Sequence, residues 1–226
     1  MVSPFCAPGV ELPVLAHITL DSGFAFPNPP NERRLPSVRT LALTPCENGN
    51  IEVYAALVCC PQLETLRLDI RGTYNVFSAP PSANLCALAL RPQFITVVSL
   101  RGLNADWALQ AFSEPHRRSL ALESGDGSLL GWDIVDDLIV KSPADAVSVR
   151  LVYDARKSLS MRATASDGRV RNVTLHSCND PSIHLRRILI DISFTKCKVQ
   201  LIVNLSLREY VSTMRCDAPA VELIYR

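Results

Sequence analysis

The residues of this chain best able to hold a metal or exchange electrons are its four histidines and eight cysteines, and their spacing argues against either role. The set most like a metal site is His176-x-Cys178 with His184 and Cys197. Imidazole and thiolate are the ligands zinc prefers, yet these intervals fit no familiar zinc arrangement, so strand-end or core positions are expected for all four. Asp133, Asp136 and Asp137 offer carboxylates for acid–base work, but they fall on the polar side of an apparent helix, where a solvated face accounts for them. Cys59-Cys60 stands directly before Pro61; a helix end packed into the core explains it better than a redox pair. The chain has no Gly-x-Ser-x-Gly elbow, no Walker-type loop and no His-Glu-x-x-His. The expectation is a protein with no catalytic residues, no cofactor and no metal.

Charge narrows the partners. Lys and Arg total 23 against 22 Asp and Glu, a formal net charge of +1, so no overall field draws in nucleic acid or an anionic membrane. Arg33-Arg34, Arg117-Arg118 and Arg186-Arg187 could touch phosphate, but they are far apart and lack interleaved aromatics. The most apolar stretch, Val199 to Leu207, is short and contains Gln200 and Asn204, well below the roughly 20 residues of a membrane-spanning helix. The start, Met1-Val-Ser-Pro-Phe-Cys6, has neither a basic nor a continuous apolar region of the secretory kind. A soluble cytoplasmic or nuclear protein with reduced thiols is therefore expected. The sequons at Asn172 and Asn204 lie inside apparent strands and are taken as chance matches.

The elements that carry these side chains follow from a repeat. Pro13-Val-Leu15-Ala-His-Ile18-Thr-Leu20 is followed by Pro36-Ser-Val38-Arg-Thr-Leu41-Ala-Leu43, by Pro61-Gln-Leu63-Glu-Thr-Leu66-Arg-Leu68 and by Leu85-Cys-Ala-Leu88-Ala-Leu90. The first aliphatic positions, Leu15, Val38, Leu63 and Leu85, stand 23, 25 and 22 residues apart, inside the range of leucine-rich repeats. In Leu-x-x-Leu-x-Leu the last two aliphatics alternate as in a strand and point inward. One strand cannot bury them alone; parallel stacking on the next repeat can. The return segment reads as helix in Ile51 to Cys60, with Val53, Tyr54, Leu57, Val58 and Cys60 at helical intervals and Pro61 as the stop.

The second half keeps the pattern loosely. Ala146-Val-Ser-Val149-Arg-Leu151, Val170-Arg-Asn-Val173-Thr-Leu175 and Ile202-Val-Asn-Leu205-Ser-Leu207 fit it; Arg117-Arg-Ser-Leu120-Ala-Leu122 fits at its last two positions. Ile95-Thr-Val-Val98-Ser-Leu100 also matches, but only 10 residues after Leu85, so residues 91–145 have no single register. Leu130, Ile134 and Leu138 suggest a helix over Ser128 to Ile139. Residues 146–176 read as three short strands, with turns near Asp154 to Lys157 and at Ser166-Asp-Gly168, as if a hairpin were inserted into a repeat. Trp107 and Trp132 are expected to pack in the core or on the helical side.

The predicted architecture is α/β: a leucine-rich-repeat solenoid with a curved parallel sheet on its concave side and helices and loops on its convex side. Residues 1–11 form an extension and 12–226 a single domain, with regular repeats over 12–100 and longer irregular ones over 101–226. Strand alternation directs His17, Thr19 and Asp21, then Thr40, Ala42 and Thr44, then Thr65, Arg67 and Asp69, then Ala87, Ala89 and Arg91 to the concave face. Solenoids of this kind bind other proteins there, so these are the candidate protein-binding residues.

Leu35-Pro-Ser-Val-Arg-Thr-Leu-Ala-Leu43, a short helix, and then Cys59-Cys-Pro-Gln-Leu-Glu-Thr-Leu-Arg-Leu-Asp69 resemble the leucine-rich-repeat region of fungal F-box-like proteins. The resemblance covers residues 12–90. It implies a substrate receptor whose F-box docks on a cullin-type ubiquitin ligase through an adaptor while the repeats select the protein to be ubiquitinated. No F-box-like helical segment precedes the first repeat, and Pro219 to Arg226 resembles the start of a further strand. The chain is thus expected to be either a fragment without the ligase-docking half or a free-standing scaffold.

Overall fold

In a computed structural model, the described residues are 16–20, 35–45, 48–70, 77, 79–98, 103–112, 117–124, 146–153, 158–176, 198–203 and 221–225. The chain divides into two compact units, Met1–Arg117 and Arg118–Arg226. Both are built on sheets whose strands are mostly parallel, and the first also contains helices. No helix among the described residues is long and apolar enough to cross a membrane.

In the first unit four strands, β1 (His17–Leu20), β2 (Thr40–Leu43), β3 (Thr65–Asp69) and β4 (Phe94–Val98), pair in parallel in that order. Their register stacks two ladders of inward aliphatics, Ile18–Leu41–Leu66–Ile95 and Leu20–Leu43–Leu68–Val97, and all eight are buried. The entry to each strand repeats as well. The N–H groups of Val38 and Leu63 donate to the carbonyls of Leu35 and Cys60, closing turns around Pro36 and Pro61. The next carbonyl along, on Ala16, Arg39 or Glu64, then accepts two successive N–H groups from the neighbouring strand's start.

The strands return through α1 (Gly49–Cys59), α2 (Ala83–Ala89) and α3 (Leu103–Phe112), with α2 beside both others. The Asn48 side chain caps α1 by accepting from the Ile51 N–H, and the Asn48 N–H donates back to Glu52. The predicted helix over Ile51 to Cys60 is therefore present. Its buried face comprises Val53, Ala55, Ala56, Leu57 and Cys59, with Tyr54 and Val58 half-exposed.

Against these helices Phe77 stacks on Trp107, with ring centroids 3.7 Å apart, and Trp107 meets Phe112 edge-on. The Trp107 Nε1–H donates to Asn50 Oδ1 at 2.6 Å, so the indole is a core residue with its one polar group satisfied. Gly49 is required here because a Cβ at this position would overlap the Phe77 ring.

The predicted strand at Leu85 to Leu90 is corrected: these residues belong to α2 and its C-terminal end, and the strand follows at Phe94–Val98. Leu85 and Ala89, four apart, bury one helical stripe, and Ser82 accepts from the Leu85 N–H as its cap. Ala83 to Leu90 contains no β-branched residue, whereas Phe94-Ile-Thr-Val-Val98 is mostly β-branched and suits a pleated, half-buried surface.

The second unit contains β5 (Ser119–Ser124), β6 (Ala146–Tyr153), β7 (Leu159–Ala165), β8 (Val170–Leu175), β9 (Lys198–Val203) and β10 (Val221–Tyr225), in spatial order β5-β8-β7-β6-β9-β10. β7 alone runs antiparallel to its neighbours, so β6, β7 and β8 form the inserted hairpin that the turn residues suggest. At its second turn Gly168 takes a φ of 84°, the left-handed region glycine favours. There Asp167 accepts from the Arg169 N–H and from its Nε, and these bonds hold the carboxyl below the ordinary aspartate range.

In β8 the aliphatics of the expected pattern, Val173 and Leu175, are buried, and Arg171 joins them on the inward face. Leu122 lies beside Val173, and Leu120 lies beside Arg171, which is buried among inward-facing side chains and donates through Nη1 to its neighbour's carbonyl. The expected helix over residues 128–139, with Asp133, Asp136, Asp137 and Trp132, lies outside the described residues, as do Leu205 and Leu207.

Candidate protein-binding surfaces

The outward side chains of the first unit form a grid fixed by strand register. One row is His17–Thr40–Thr65–Phe94, the next is Thr19–Ala42–Arg67–Thr96, and Asp69–Val98 begin a third. His17, Thr19, Arg67 and Phe94 are exposed, and Thr40, Ala42, Thr65, Asp69, Thr96 and Val98 are half-buried. Strands stand ~4.8 Å apart and alternate residues ~6.6 Å along a strand, so Phe94 and Arg67 lie within reach of one bound segment. Phe94 leaves 43% of its surface in water, unusually much for an aromatic side chain.

Of the residues expected on this face, His17, Thr19, Thr40, Thr65, Arg67 and Asp69 are on strands as foreseen, and Thr44 lies just beyond β2. Asp21 lies outside the described residues. Ala87 and Ala89 are helical, and Arg91 is an exposed residue between α2 and β4, not a strand residue, because the fourth strand comes later than the aliphatic pattern implied. Phe94, Thr96 and Val98 occupy the face in their place. The β-branched run that contains them was the available signal. Beside the grid, Arg39 Nη1 meets Glu64 Oε1 at 3.1 Å; both side chains are about half-exposed, and such a pair contributes little to stability.

In the second unit a chain of polar contacts joins three strand ends. Ser158, just before β7, has its Oγ 2.9 Å from Nδ1 of His176, which follows β8; His176 Nε2 is 2.8 Å from Glu123 Oε1 on β5. With the ring proton on Nε2 donated to Glu123, Nδ1 accepts from the hydroxyl. Serine, imidazole and carboxylate in this order have the connectivity of a nucleophile relay. Ser158 is only 8% exposed, however, and a nucleophile must be open to its substrate. The arrangement ties the ends of β5, β8 and β7 together. His176 is thus engaged by these two side chains, while Cys178, His184 and Cys197 lie outside the described residues.

The remaining candidates separate in the same way. Cys59 and Cys60 are buried free thiols, and burial, helped by the neighbouring Cys59, pushes the Cys60 thiol up to about 12, which keeps it protonated and unreactive. Arg117 is buried; its guanidinium donates to the carbonyls of Phe112, Pro92 and Ala89, at the ends of α3 and α2. It is a structural cation placed to cap two helices. Arg33, Arg34, Arg186 and Arg187 lie outside the described residues. Among the described residues no group of three or more His, Cys, Asp or Glu is arranged to hold a metal ion. No protein-family profile, curated protein or solved structure matches the chain.

Proposed function

We propose that the chain is a leucine-rich-repeat module that binds another protein on the outward face of β1 to β4. The observation that carries this reading is a parallel sheet with one face buried and the other left to solvent. Parallel sheets ordinarily have both faces covered, so an open one is a surface kept for a partner. Equivalent positions His17, Thr40, Thr65 and Phe94 follow one another at intervals of 23, 25 and 29 residues, which supports the repeat assignment. The occupant that fits is an extended protein segment. Small Thr and Ala side chains let its backbone approach, Arg67 takes a carboxylate, and Phe94 takes an apolar side chain.

The finer proposal, that this module selects substrates for a cullin-type ubiquitin ligase, is supported by the resemblance of residues 12–90 to fungal F-box-like repeats. A free-standing scaffold uses the same face without the ligase. Affinity capture with wild-type chain and with an Arg67→Glu, Phe94→Ala variant of unchanged circular dichroism tests the surface. Partners held by the first and lost by the second support it; retention of every partner refutes it. Capture of a cullin adaptor distinguishes the ligase receptor from the scaffold.

A further inference from the structure

One row crosses the entire second sheet: Ala121–Asn172–Arg162–Arg150–Gln200–Glu222. Its centre places Arg162 of β7 directly opposite Arg150 of β6, and both side chains are exposed. Opposed residues on an antiparallel pair have Cβ atoms ~5 Å apart, and like charges in that relation destabilise the sheet. Among the described residues no carboxylate forms an ion pair with either arginine. Glu222, the row's only acid, is two strands from Arg150 and bonded to the Gln200 amide, Nε2 to Oε2, at 3.1 Å.

From this row we infer a binding site for a phosphorylated side chain, formed by Arg150 and Arg162 with the amides of Asn172 and Gln200 as flanking donors. The charges choose the ligand. A phosphate monoester carries about −1.5 to −2 at neutral pH and offers three acceptor oxygens, so one group neutralises both guanidinium forks; a carboxylate neutralises one. Binding relieves the repulsion that the empty pair sustains.

The mixed charge around the pair favours a single dianion over a polyanion. Outward positions in the adjacent rows are Ser160 and Thr174, bonded to each other, with Glu123 next to Thr174, and Thr164 and Ser148, with Lys198 next to Ser148, so one acid and one further base flank the pair instead of a run of cations. A nucleic acid or anionic lipid surface calls for cations spread along its length, and the whole chain carries a net charge of only +1. The ligand is therefore phosphoserine or phosphothreonine on an extended segment of a partner protein. Binding at this site does not depend on the β1 to β4 face.

The test uses the intact chain and two immobilised peptide libraries with randomised flanks around one central serine or threonine, phosphorylated in one library and not in the other. Enrichment of the chain on the phosphorylated library, weakened about tenfold or more in Arg150→Gln and in Arg162→Gln, supports the site. Both variants should melt no lower than wild type, because each removes a like-charge contact, which separates lost binding from lost folding. Equal binding to both libraries overturns the inference, as does no binding to either. Tighter binding to single-stranded RNA or to phosphatidylserine vesicles, abolished by the same substitutions, overturns it in favour of a polyanion patch.

Discussion

Arg117 offers a demanding test of how the first unit is held together. By the Leu-x-x-Leu-x-Leu pattern, position 117 is where an aliphatic residue is expected, as at Val38 and Leu63, yet a buried guanidinium stands there with only 1% of its surface exposed. It donates through Nε to the Phe112 carbonyl at 3.0 Å, through Nη2 to Ala89 at 2.7 Å, and through Nη1 to Pro92. Arg117→Leu restores the repeat consensus and removes all three bonds. Charge-assisted bonds of this kind contribute ~1.5–3 kcal/mol each, while a buried leucine returns roughly 2 kcal/mol. The net expectation is a loss of ~2.5–7 kcal/mol, a large part of a typical domain's stability. Urea denaturation monitored by Trp fluorescence should show the midpoint falling with the slope unchanged, and Arg117→Lys, with fewer donors, should fall between. An Arg117→Leu variant as stable as wild type would refute the capping role and make burial of the guanidinium incidental.

Three further outcomes follow from the same structure. Gly49→Ala should destabilise by ~1–3 kcal/mol and change the near-ultraviolet circular dichroism of Trp107, because the new methyl meets Phe77; helix propensity alone predicts the opposite sign, a gain of about 1 kcal/mol. With its thiol raised from 9.0 to about 12 by burial, Cys60 stabilises the fold fully below pH 9. That contribution is lost as pH climbs from 9 towards 12, by ~1.4 kcal/mol per pH unit. Wild type should therefore lose stability faster than Cys60→Ala across this window in parallel denaturation curves, and equal slopes would contradict the assignment. His176→Ala should cost ~1–2 kcal/mol, and Ser158→Ala added to it little more, since both break one network; additive losses in a double-mutant cycle would mean that the three strand ends are not tied through the ring.

The legible parts of the fold were those where local chemistry and aliphatic spacing agree. Pro61 ends the helix where it was expected to, and Asp167-Gly168 marks a hairpin turn; both readings hold. Leu85 to Leu90 misled because Leu-x-x-Leu-x-Leu also places Leu85 and Leu88 three apart, an interval a helix shares, so aliphatic spacing could not separate strand from helix. In β8 the aliphatic pattern holds for Val173 and Leu175, which are buried, but a search for aliphatics cannot anticipate Arg171 facing inward beside Leu120. On the candidate surface, alternation sufficed for Thr40, Thr65 and Arg67, while Phe94 and Thr96 depended on the register of β4. The pairing of Arg150 with Arg162, and the Glu123–His176–Ser158 contacts, join residues with no fixed spacing in the chain. They exist only through strand pairing.

The central claim is that a partner protein lies on the open face of β1 to β4, and site-specific photo-crosslinking addresses it most directly. A photoreactive residue at Thr96, beside Arg67 on the face, is compared with one at Leu90, exposed at the C-terminal end of α2. Crosslinking to a captured partner from position 96, with position 90 silent, is the predicted result. Crosslinks from position 90 with none from position 96 would place the partner on the helices and contradict the account.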